Sequence, residues 1–331
     1  MSASRKSERL ELPEAAGELL RSPHVAPAVA GRRLLVLVNP IAGRGRKRYL
    51  QKVLAALRAE GAQVSVYTTE AAGQAWRMAA STAATRADVI VAAGGDGTVN
   101  EVVNGLAANS VPPALGVIPL GAANVFARNL RLPHRPAALA RCLAEARALP
   151  FLPGSVNGRL FVAMAGIGFD ARVVAGVSTG LKRHVGKGAY VWQSLRELAR
   201  NRSRLYVVRC GGEERSAAGV VAARGRHYGG GFVMAPEARL ARPAFELCCV
   251  GGGGALDIAR QAIALGLGRF HRLVDLEQRQ CTAAEVDGPA DEPIQADGDL
   301  VGYLPARIAM AGRPIQVVGL EAGGCEGGTP A

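Results

Sequence analysis

The sequence predicts an α/β domain with a parallel sheet, followed by a mainly antiparallel β domain. In the first half, continuous apolar runs at 34–38 and 89–93 alternate with segments whose apolar residues recur at helical spacing. Strands that alternate with helices form parallel sheets with right-handed crossovers. In the second half, short strand-like runs are separated by hairpin signals. A length of 331 residues fits two such domains.

The segment 88–101 combines a buried strand, a glycine-rich turn and the start of a helix. The run 89–93 is apolar throughout, as expected for a parallel strand that is covered on both faces. The turn lacks side chains at Gly94, Gly95 and Gly97, where the backbone must bend and approach something closely. A glycine turn at a helix N-terminus directs backbone N–H groups and the positive end of the helix dipole at a ligand. This segment therefore predicts a phosphate site.

Asp96 lies in this turn and would repel a bare phosphate. A divalent metal or a ribose hydroxyl between the two would remove the conflict, so the turn indicates a nucleotide bound with Mg²⁺. The alternative is a strand-to-helix turn without a ligand, in which Asp96 or Thr98 caps the helix. Thr98 and Glu101 are three residues apart, a spacing that predicts a capping box.

Further polar turns follow the strands that begin at Leu34, Gln63 and Leu115. Open α/β sheets bind ligands at the carboxyl ends of their strands, so these turns are expected to meet the glycine turn. Their candidate ligand-binding residues are Asn39, Pro40, Ile41, Ala42 and Gly43 in the first turn, Thr69 in the second and Asn124 in the third. The alternatives are a solvated basic helix start for 39–43, a helix cap for Thr69 and a helix N-terminal hydrogen bond for Asn124.

The second half is expected to form hairpins at Asn157-Gly158 and Gly211-Gly212, with helices near 189–200 and 255–267. Predicted strand runs include 160–164, 215–223, 245–250, 273–277, 307–311 and 315–318. We expect loose segments at 1–30 and 321–331, the α/β domain at 31–150 and the β domain at 151–320.

Asp297 and Asp299 flank a glycine, a pattern that is unusual in a protein core. One interpretation is a β-turn, and the other is a carboxylate that accepts the proton of an attacking hydroxyl. Asp170, which follows another strand, is either a residue of the cleft, a turn residue or a helix N-cap.

Composition excludes several classes of protein. A hydrophobic fraction of 49% argues against disorder, and we find no apolar run long enough to span a membrane. The net charge of +13 favours anionic partners, but aromatic residues make up only 5%, so no specific nucleic-acid partner is expected. The N-terminus lacks a secretory signal and the six cysteines show no ligand spacing. We therefore expect a cytoplasmic protein with reduced thiols.

Together these segments resemble the diacylglycerol kinase catalytic domain family, which includes bacterial lipid kinases and sphingosine kinases. The resemblance runs from about residue 34 to 318, and its most specific part is 94–101. The other signatures are 118–127, 168–170 and 297–299. It implies an α/β nucleotide-binding domain and a β-sandwich lipid-substrate domain with a cleft between them.

By this resemblance, ATP is the co-substrate, carried with Mg²⁺, and contacts Asn39–Gly43, Thr69 and the turn residues Gly94, Gly95, Asp96, Gly97, Thr98, Val99 and Asn100. Asp299 stands where the family has its proton acceptor, usually Glu, and Asp297 stands where it has a neighbouring catalytic Asp.

The sequence also departs from the family pattern. Ala122 and Val125 stand where Thr and Asp are common, which removes one hydroxyl contact to ATP. Arg242 stands where an Asp helps to hold a structural Mg²⁺, and a guanidinium cannot bind a cation. We predict that this structural metal site is absent.

The leading hypothesis is an ATP-dependent lipid kinase that phosphorylates diacylglycerol or a similar long-chain alcohol at a membrane surface, with peripheral membrane contact and a homodimer left open. One alternative is a kinase of a soluble substrate, similar to NAD kinase. The other is a nucleotide- or lipid-binding protein that has lost turnover.

Overall fold

The computed structural model describes residues 31–42, 45–176, 197 and 204–320. The predicted extensions at 1–30 and 321–331, and most of the predicted helix near 189–200, lie outside this part of the chain.

The first domain contains a six-stranded sheet in the order β2-β1-β3-β4-β20-β5. Its strands are β1 (Arg33–Val38), β2 (Gln63–Thr68), β3 (Val89–Gly94), β4 (Ala114–Pro119), β5 (Ala148–Phe151) and β20 (Ile315–Val318). The strands β1 to β4 and β20 are parallel, and β5 is antiparallel to β20. Every residue of β3 and β4 is buried, which explains their continuous apolar sequences.

Helices connect these strands and place their apolar residues against the sheet. The described helices of this domain are α1 (Lys47–Ala59), α2 (Gln74–Ala80), α3 (Asp96–Ala107), α4 (Val125–Asn129) and α5 (Pro136–Glu145). The helix predicted near 72–86 is divided, because Ser81 is extended and a 3₁₀ helix, Thr82–Arg86, follows it. Gly105 allows α3 to approach α2 closely, since a Cβ there would lie 2.5 Å from the carbonyl oxygen of Trp76.

The second domain is a sandwich of two antiparallel six-stranded sheets, as predicted. The sheets have the orders β10-β9-β16-β19-β6-β7 and β15-β14-β11-β8-β17-β18. Their strands are β6 (Gly154–Val156), β7 (Arg159–Phe161), β8 (Met164–Ile167), β9 (Tyr206–Cys210), β10 (Glu213–Ala217), β11 (Gly219–Ala223), β14 (Phe245–Val250), β15 (Leu276–Cys281), β16 (Ala283–Asp287), β17 (Pro293–Ala296), β18 (Asp299–Tyr303) and β19 (Ala306–Met310).

A separate hairpin and two α-helices are also described in this domain, together with the 3₁₀ helix Phe270–Arg272. The hairpin strands and the α-helices are β12 (His227–Tyr228), β13 (Phe232–Val233), α6 (Phe169–Gly176) and α7 (Ala255–Gly266). Among the described helices, none combines the length and the hydropathy that a membrane crossing requires.

Both predicted hairpins are confirmed. Asn157 and Gly158 have φ values of 48° and 83°, and Gly211 and Gly212 have φ values of 60° and 78°. Positive φ at both central residues matches the right-handed twist of the flanking strands. Two of the predicted strands are in fact divided between the sheets: 160–164 splits into β7 and β8, and 215–223 splits into β10 and β11.

Three further expectations are wrong. The strand 315–318, which we expected among the strands of the second half, is β20 and pairs with β4 in the first sheet. The strand expected at 273–277 is β15, which begins only at Leu276. Cys210 and Cys281 form a disulfide that joins β9 to β15 across the sandwich, so the prediction of six reduced thiols does not hold. These cysteines are 71 residues apart, and their spacing alone does not indicate a pair.

Candidate active site

The carboxyl ends of the parallel strands meet in one place, and backbone hydrogen bonds join the turns that follow them. Asn39 N–H donates to Ala93 O across 3.0 Å, Thr69 N–H to Val38 O across 2.9 Å, and Leu120 N–H to Gly94 O across 2.9 Å. The predicted convergence of the four polar turns is therefore present.

The glycine turn leads directly into α3, whose N-cap is Gly95. A Cβ on Gly94 would lie 2.3 Å from Thr98 Oγ1, so only glycine fits there. The prediction of a capping box is wrong, because the side chains of Thr98 and Glu101 form hydrogen bonds with other parts of the chain. Thr98 Oγ1 accepts a hydrogen bond from Asn39 Nδ2 at 3.1 Å, and Glu101 Oε1 accepts one from Gly73 N–H at 3.0 Å. The N–H groups of the first turn of α3 are thereby left to a ligand or to water.

The turn after β4 packs against the glycine turn backbone to backbone. A Cβ on Gly121 would lie 2.5 Å from the Cα of Gly95. Asn124 has φ of 50° and closes the turn after β4, because its Oδ1 accepts the Gly121 N–H and its Nδ2 donates to Gly121 O. The amide of Asn124 is thus engaged by the turn itself.

The turn after β1 is shaped by its own asparagine. Asn39 Oδ1 accepts the N–H groups of Ile41 at 3.1 Å and Ala42 at 3.4 Å. Pro40 and Ile41 are exposed, and Gly43 lies outside the described residues. Arg46, one of the basic residues that follow, donates from Nη1 to Pro119 O and connects this turn to β4.

Four of the predicted nucleotide-contact side chains are buried: Thr69, Thr98, Val99 and Asn100. The Thr69 hydroxyl donates to Val38 O at 3.2 Å, and Val99 packs in the core of the first domain. Neither side chain faces the open part of the turn, so any contact they make with a nucleotide would be through the backbone.

Asp96 lies at the start of α3 and also faces the start of α4, where its Oδ1 accepts the Phe126 N–H at 3.2 Å. Burial raises the pKa of Asp96 to about 6, and the nearby charge of Asp297 adds to the rise. A cation against this carboxylate would relieve both effects.

The side chains here suit Mg²⁺ that is carried by nucleotide phosphates. No group of three or more metal-ligating side chains occurs among the residues that the structure describes. Mg²⁺ in kinases is held by one or two carboxylates together with phosphate oxygens. Asp96 can supply such a carboxylate, and the ion would neutralise charge on the phosphates.

Asp297 joins the two domains. Its φ is 50°, and its carboxylate accepts the backbone N–H groups of Val162, Ala163 and Met164 at 2.8–3.0 Å. Asn100 on α3 adds a fourth bond from Nδ2 at 2.8 Å. Burial still raises the pKa of Asp297. With four donors the carboxylate is held in place, which suits a positioning role better than proton transfer.

Asp299 is exposed and lies against the glycine turn. A Cβ added to Gly97 would lie 3.5 Å from Asp299 Oδ2. The structure therefore places Asp299 beside the first turn of α3, the turn that also carries Asp96.

A buried glutamine supports the turn that carries Asp299. Gln295 Oε1 accepts the Gly298 N–H at 3.0 Å, and its Nε2 donates to Asp170 Oδ2 at 3.1 Å. Tyr228 Oη donates to the same oxygen of Asp170 at 3.3 Å. Sequence reasoning missed Gln295, although a lone glutamine in a buried strand beside Asp297-Gly298-Asp299 was a usable signal.

Two residues that were not among the predicted site residues bind α3 to β7. Asn104 accepts the Leu160 N–H at 3.1 Å and donates to Leu160 O at 3.1 Å, and Arg159 donates to Asn100 Oδ1 at 3.1 Å. Asn104 lies one helical turn after Asn100, so both asparagines face the second domain.

The residues around Arg242 do not suit the structural Mg²⁺ that the family implies. Arg224 is fully buried, and its guanidinium donates to the carbonyl oxygens of Leu152, Leu240 and Ala244. It also lies 5.3 Å from the centroid of the Phe151 ring. Burial lowers the pKa of Arg224 to about 9. A cationic side chain thus already binds the carbonyls of the loop that contains Arg242.

Comparison with known proteins agrees with this architecture. The model of the diacylglycerol kinase catalytic domain matches residues 33–156, and that of the YegS C-terminal NAD kinase beta sandwich-like domain matches residues 163–319. A diacylglycerol kinase of Bacillus subtilis is 30% identical over 87% of this chain and 96% of its own length. A probable lipid kinase YegS-like of Pseudomonas aeruginosa is 37% identical over 62% of this chain and 68% of its own.

Solved structures show the same fold. A putative diacylglycerol kinase from Bacillus anthracis superposes with a TM-score of 0.73 at 23% identity, covering 88% of this chain and 98% of that one. The chain belongs to the diacylglycerol kinase catalytic domain family of lipid kinases, and it is a kinase.

Proposed function

We propose that this kinase transfers the γ-phosphoryl group of Mg-ATP to the hydroxyl group of diacylglycerol or a similar long-chain lipid alcohol. The observation that carries the proposal is the placement of the Asp299 carboxylate 3.5 Å from the position of a Cβ on Gly97. The relatives named above as diacylglycerol and lipid kinases support the choice of acceptor.

The N-terminus of α3 supplies the phosphate contacts in this proposal. Its N–H groups and its helix dipole attract the negative charge of the nucleotide. Asp96 stands in the first turn of the same helix, and its carboxylate would contact the Mg²⁺ that the phosphates carry. Gly94, Gly95 and Gly121 keep side chains out of the space at this N-terminus.

Asp299 acts on the acceptor. A carboxylate next to the phosphate site can accept the proton of the lipid hydroxyl as that oxygen attacks the γ-phosphorus. Asp297 and Gln295 fix the turn on which Asp299 stands, through the bonds to Asn100, residues 162–164 and Gly298. The attacking group and the phosphates are thereby held at a fixed separation.

Incubation with labelled ATP, Mg²⁺ and a panel of lipid alcohols tests the proposal, with NAD included as a soluble acceptor. We expect a labelled lipid product that Asp299→Ala abolishes and Glu285→Ala preserves, since Glu285 is an exposed carboxylate on the other sheet of the sandwich. Labelled NAD phosphate would instead support the soluble-substrate kinase. Nucleotide binding without any product would support a binding protein that lacks turnover.

A further inference from the structure

Helix α7 presents an apolar stripe to solvent. None of its twelve residues is buried against the part of the chain that the structure describes. The side chains of Leu256, Ile263 and Leu267 are 87%, 64% and 66% exposed. Residues spaced seven and eleven apart lie on one side of a helix, so these three form a continuous line along α7 and the residue after it.

A fourth exposed apolar residue is next in the chain to a residue that contacts α7. Val274 is 99% exposed, and its neighbour Asp275 accepts a hydrogen bond from Arg260 Nη2 at 2.6 Å. Arg260 stands between Leu256 and Ile263 on the same side of the helix. We call Leu256, Ile263, Leu267 and Val274 the α7 stripe. Contiguous exposed apolar side chains of this kind mark contact surfaces more often than free surface.

The charges near the α7 stripe are cationic. Both acidic residues of the segment, Asp257 and Asp275, are paired with Arg260 at 3.5 and 2.6 Å. Arg269 and Arg272 follow the helix, are exposed, and form no ion pair with a described carboxylate. An apolar face bordered by arginines is the pattern of a helix that lies in the interface of a bilayer.

We propose that the α7 stripe docks this protein onto a membrane surface, where its apolar side chains enter the acyl boundary and Arg269 and Arg272 contact anionic lipid headgroups. The inference rests on the proposed function, because a long-chain lipid acceptor lies in a bilayer and the kinase must meet it there. A contact between two copies fits less well. A symmetric interface would bring the same arginines of the two copies close together. In addition, four side chains cover much less than the roughly 800 Å² that each partner buries in a stable protein–protein interface.

Flotation with lipid vesicles tests the docking without any requirement for turnover. The vesicles contain phosphatidylcholine alone or phosphatidylcholine with phosphatidylglycerol. We expect Ile263→Asp/Leu267→Asp to lower vesicle binding by about tenfold or more, since charges replace two apolar side chains that enter the acyl boundary in the proposed complex. Arg269→Ala/Arg272→Ala should lower binding by about fivefold per arginine on the phosphatidylglycerol vesicles only.

Val111→Asp is the matched control, because Val111 is 70% exposed in the loop between α3 and β4. Its vesicle binding should equal that of the wild type. Phosphoryl transfer to a short-chain, monodisperse diacylglycerol should be the same in all of these variants, since none of the substituted residues belongs to the candidate active site.

Equal vesicle binding by the wild type and the Ile263→Asp/Leu267→Asp variant would overturn the docking proposal. A change in oligomeric state in that variant, measured by analytical ultracentrifugation, would also overturn it by assigning the stripe to a second copy. If the wild type binds vesicles but phosphorylates neither the short-chain nor the vesicle-borne acceptor, docking stands and the proposed acceptor fails.

Discussion

Asn100 donates an amide N–H to Asp297 across 2.8 Å, and this bond joins the first domain to the second at the active site. The same amide donates to Leu160 O at 2.8 Å. Helix α3 therefore carries both the glycine turn at its start and the domain contact one turn later. Because Asp299 is two residues from Asp297, this contact would set the distance between the Asp299 carboxylate and the phosphates in the function proposed above.

Replacing Asn100 by alanine should lower both the stability of the protein and its kcat. The variant leaves Asp297 Oδ2 and Leu160 O without this donor, which should cost about 1–3 kcal/mol of unfolding free energy. A small displacement of Asp299 should lower kcat by about tenfold to a hundredfold. Urea unfolding and steady-state kinetics measure the two effects.

Asn109→Ala is the control for this prediction. Asn109 is also buried and donates to Ala79 O and Ser81 O, both within the first domain. It should lose similar stability and keep its kcat. Equal losses of kcat in the two variants would show that the contact between domains has no special part in catalysis.

Gly121→Ala should disrupt nucleotide binding. The new methyl group would lie 2.5 Å from Gly95 Cα and 2.8 Å from Asn124 Oδ1, so the two turns must move apart. We expect the Kd for Mg-ATP, measured by calorimetry, to rise by about tenfold or more. Gly312→Ala, where a Cβ meets nothing within 4 Å, should bind normally. Normal binding by Gly121→Ala would argue against a shared phosphate site at these turns.

Asp170 should make stability depend on pH. Burial raises its pKa from 3.8 to about 6, despite hydrogen bonds from Gln295 and Tyr228. A carboxyl group with a raised pKa contributes stability that is complete below its unfolded pKa and is lost as pH rises through its folded pKa. The wild type should therefore lose this contribution between pH 3.8 and about 6.

The variant Asp170→Asn cannot ionise at this position. The unfolding free energy of the variant minus that of the wild type should be larger at pH 7.5 than at pH 4.5 by roughly 1–3 kcal/mol. Urea unfolding of both proteins at the two pH values measures this difference. A stability difference that is the same at both pH values would contradict the assignment.

Arg224→Met should destabilise the second domain strongly. Three backbone carbonyls would lose their buried donor, at a cost of about 3 kcal/mol or more in unfolding free energy. Arg307→Met is the control, because the Arg307 side chain is 85% exposed. A metal chelator should leave the Tm of the nucleotide-free protein unchanged. A large fall in Tm with chelator would instead reveal a structural metal that Arg224 does not replace.

The sequence predicted those parts of the fold that depend on local pattern. Local sequence correctly predicts the apolar strands β1, β3 and β4. It also predicts the positive-φ hairpins at Asn157 and Gly211. The strand at Ile315 could not be placed, because an apolar run does not reveal which sheet it joins. The pairing of Cys210 with Cys281 depends on the packing of two sheets, which no local pattern encodes.

The candidate site was predicted in outline, while its hydrogen bonds were not. The glycine turn and the Asp297–Asp299 pattern indicated that a phosphate site faces a carboxylate. The partners of Thr98, Asn124 and Gln295 come from turns or strands whose contacts form only in the folded chain. Thr98 illustrates the reason: Asn39, fifty-nine residues earlier, binds the hydroxyl that a local capping box would have used.

The most direct test of the central claim is the rate of phosphoryl transfer from ATP to diacylglycerol by Asp299→Asn at saturating substrates, measured with the nucleotide Kd of the same variant. Asp299 is exposed, and the change keeps the size of its side chain. The account predicts that kcat falls by ~10²–10⁴-fold while the Kd for Mg-ATP changes by less than about twofold. A kcat within about twofold of the wild-type value would show that Asp299 is not the proton acceptor.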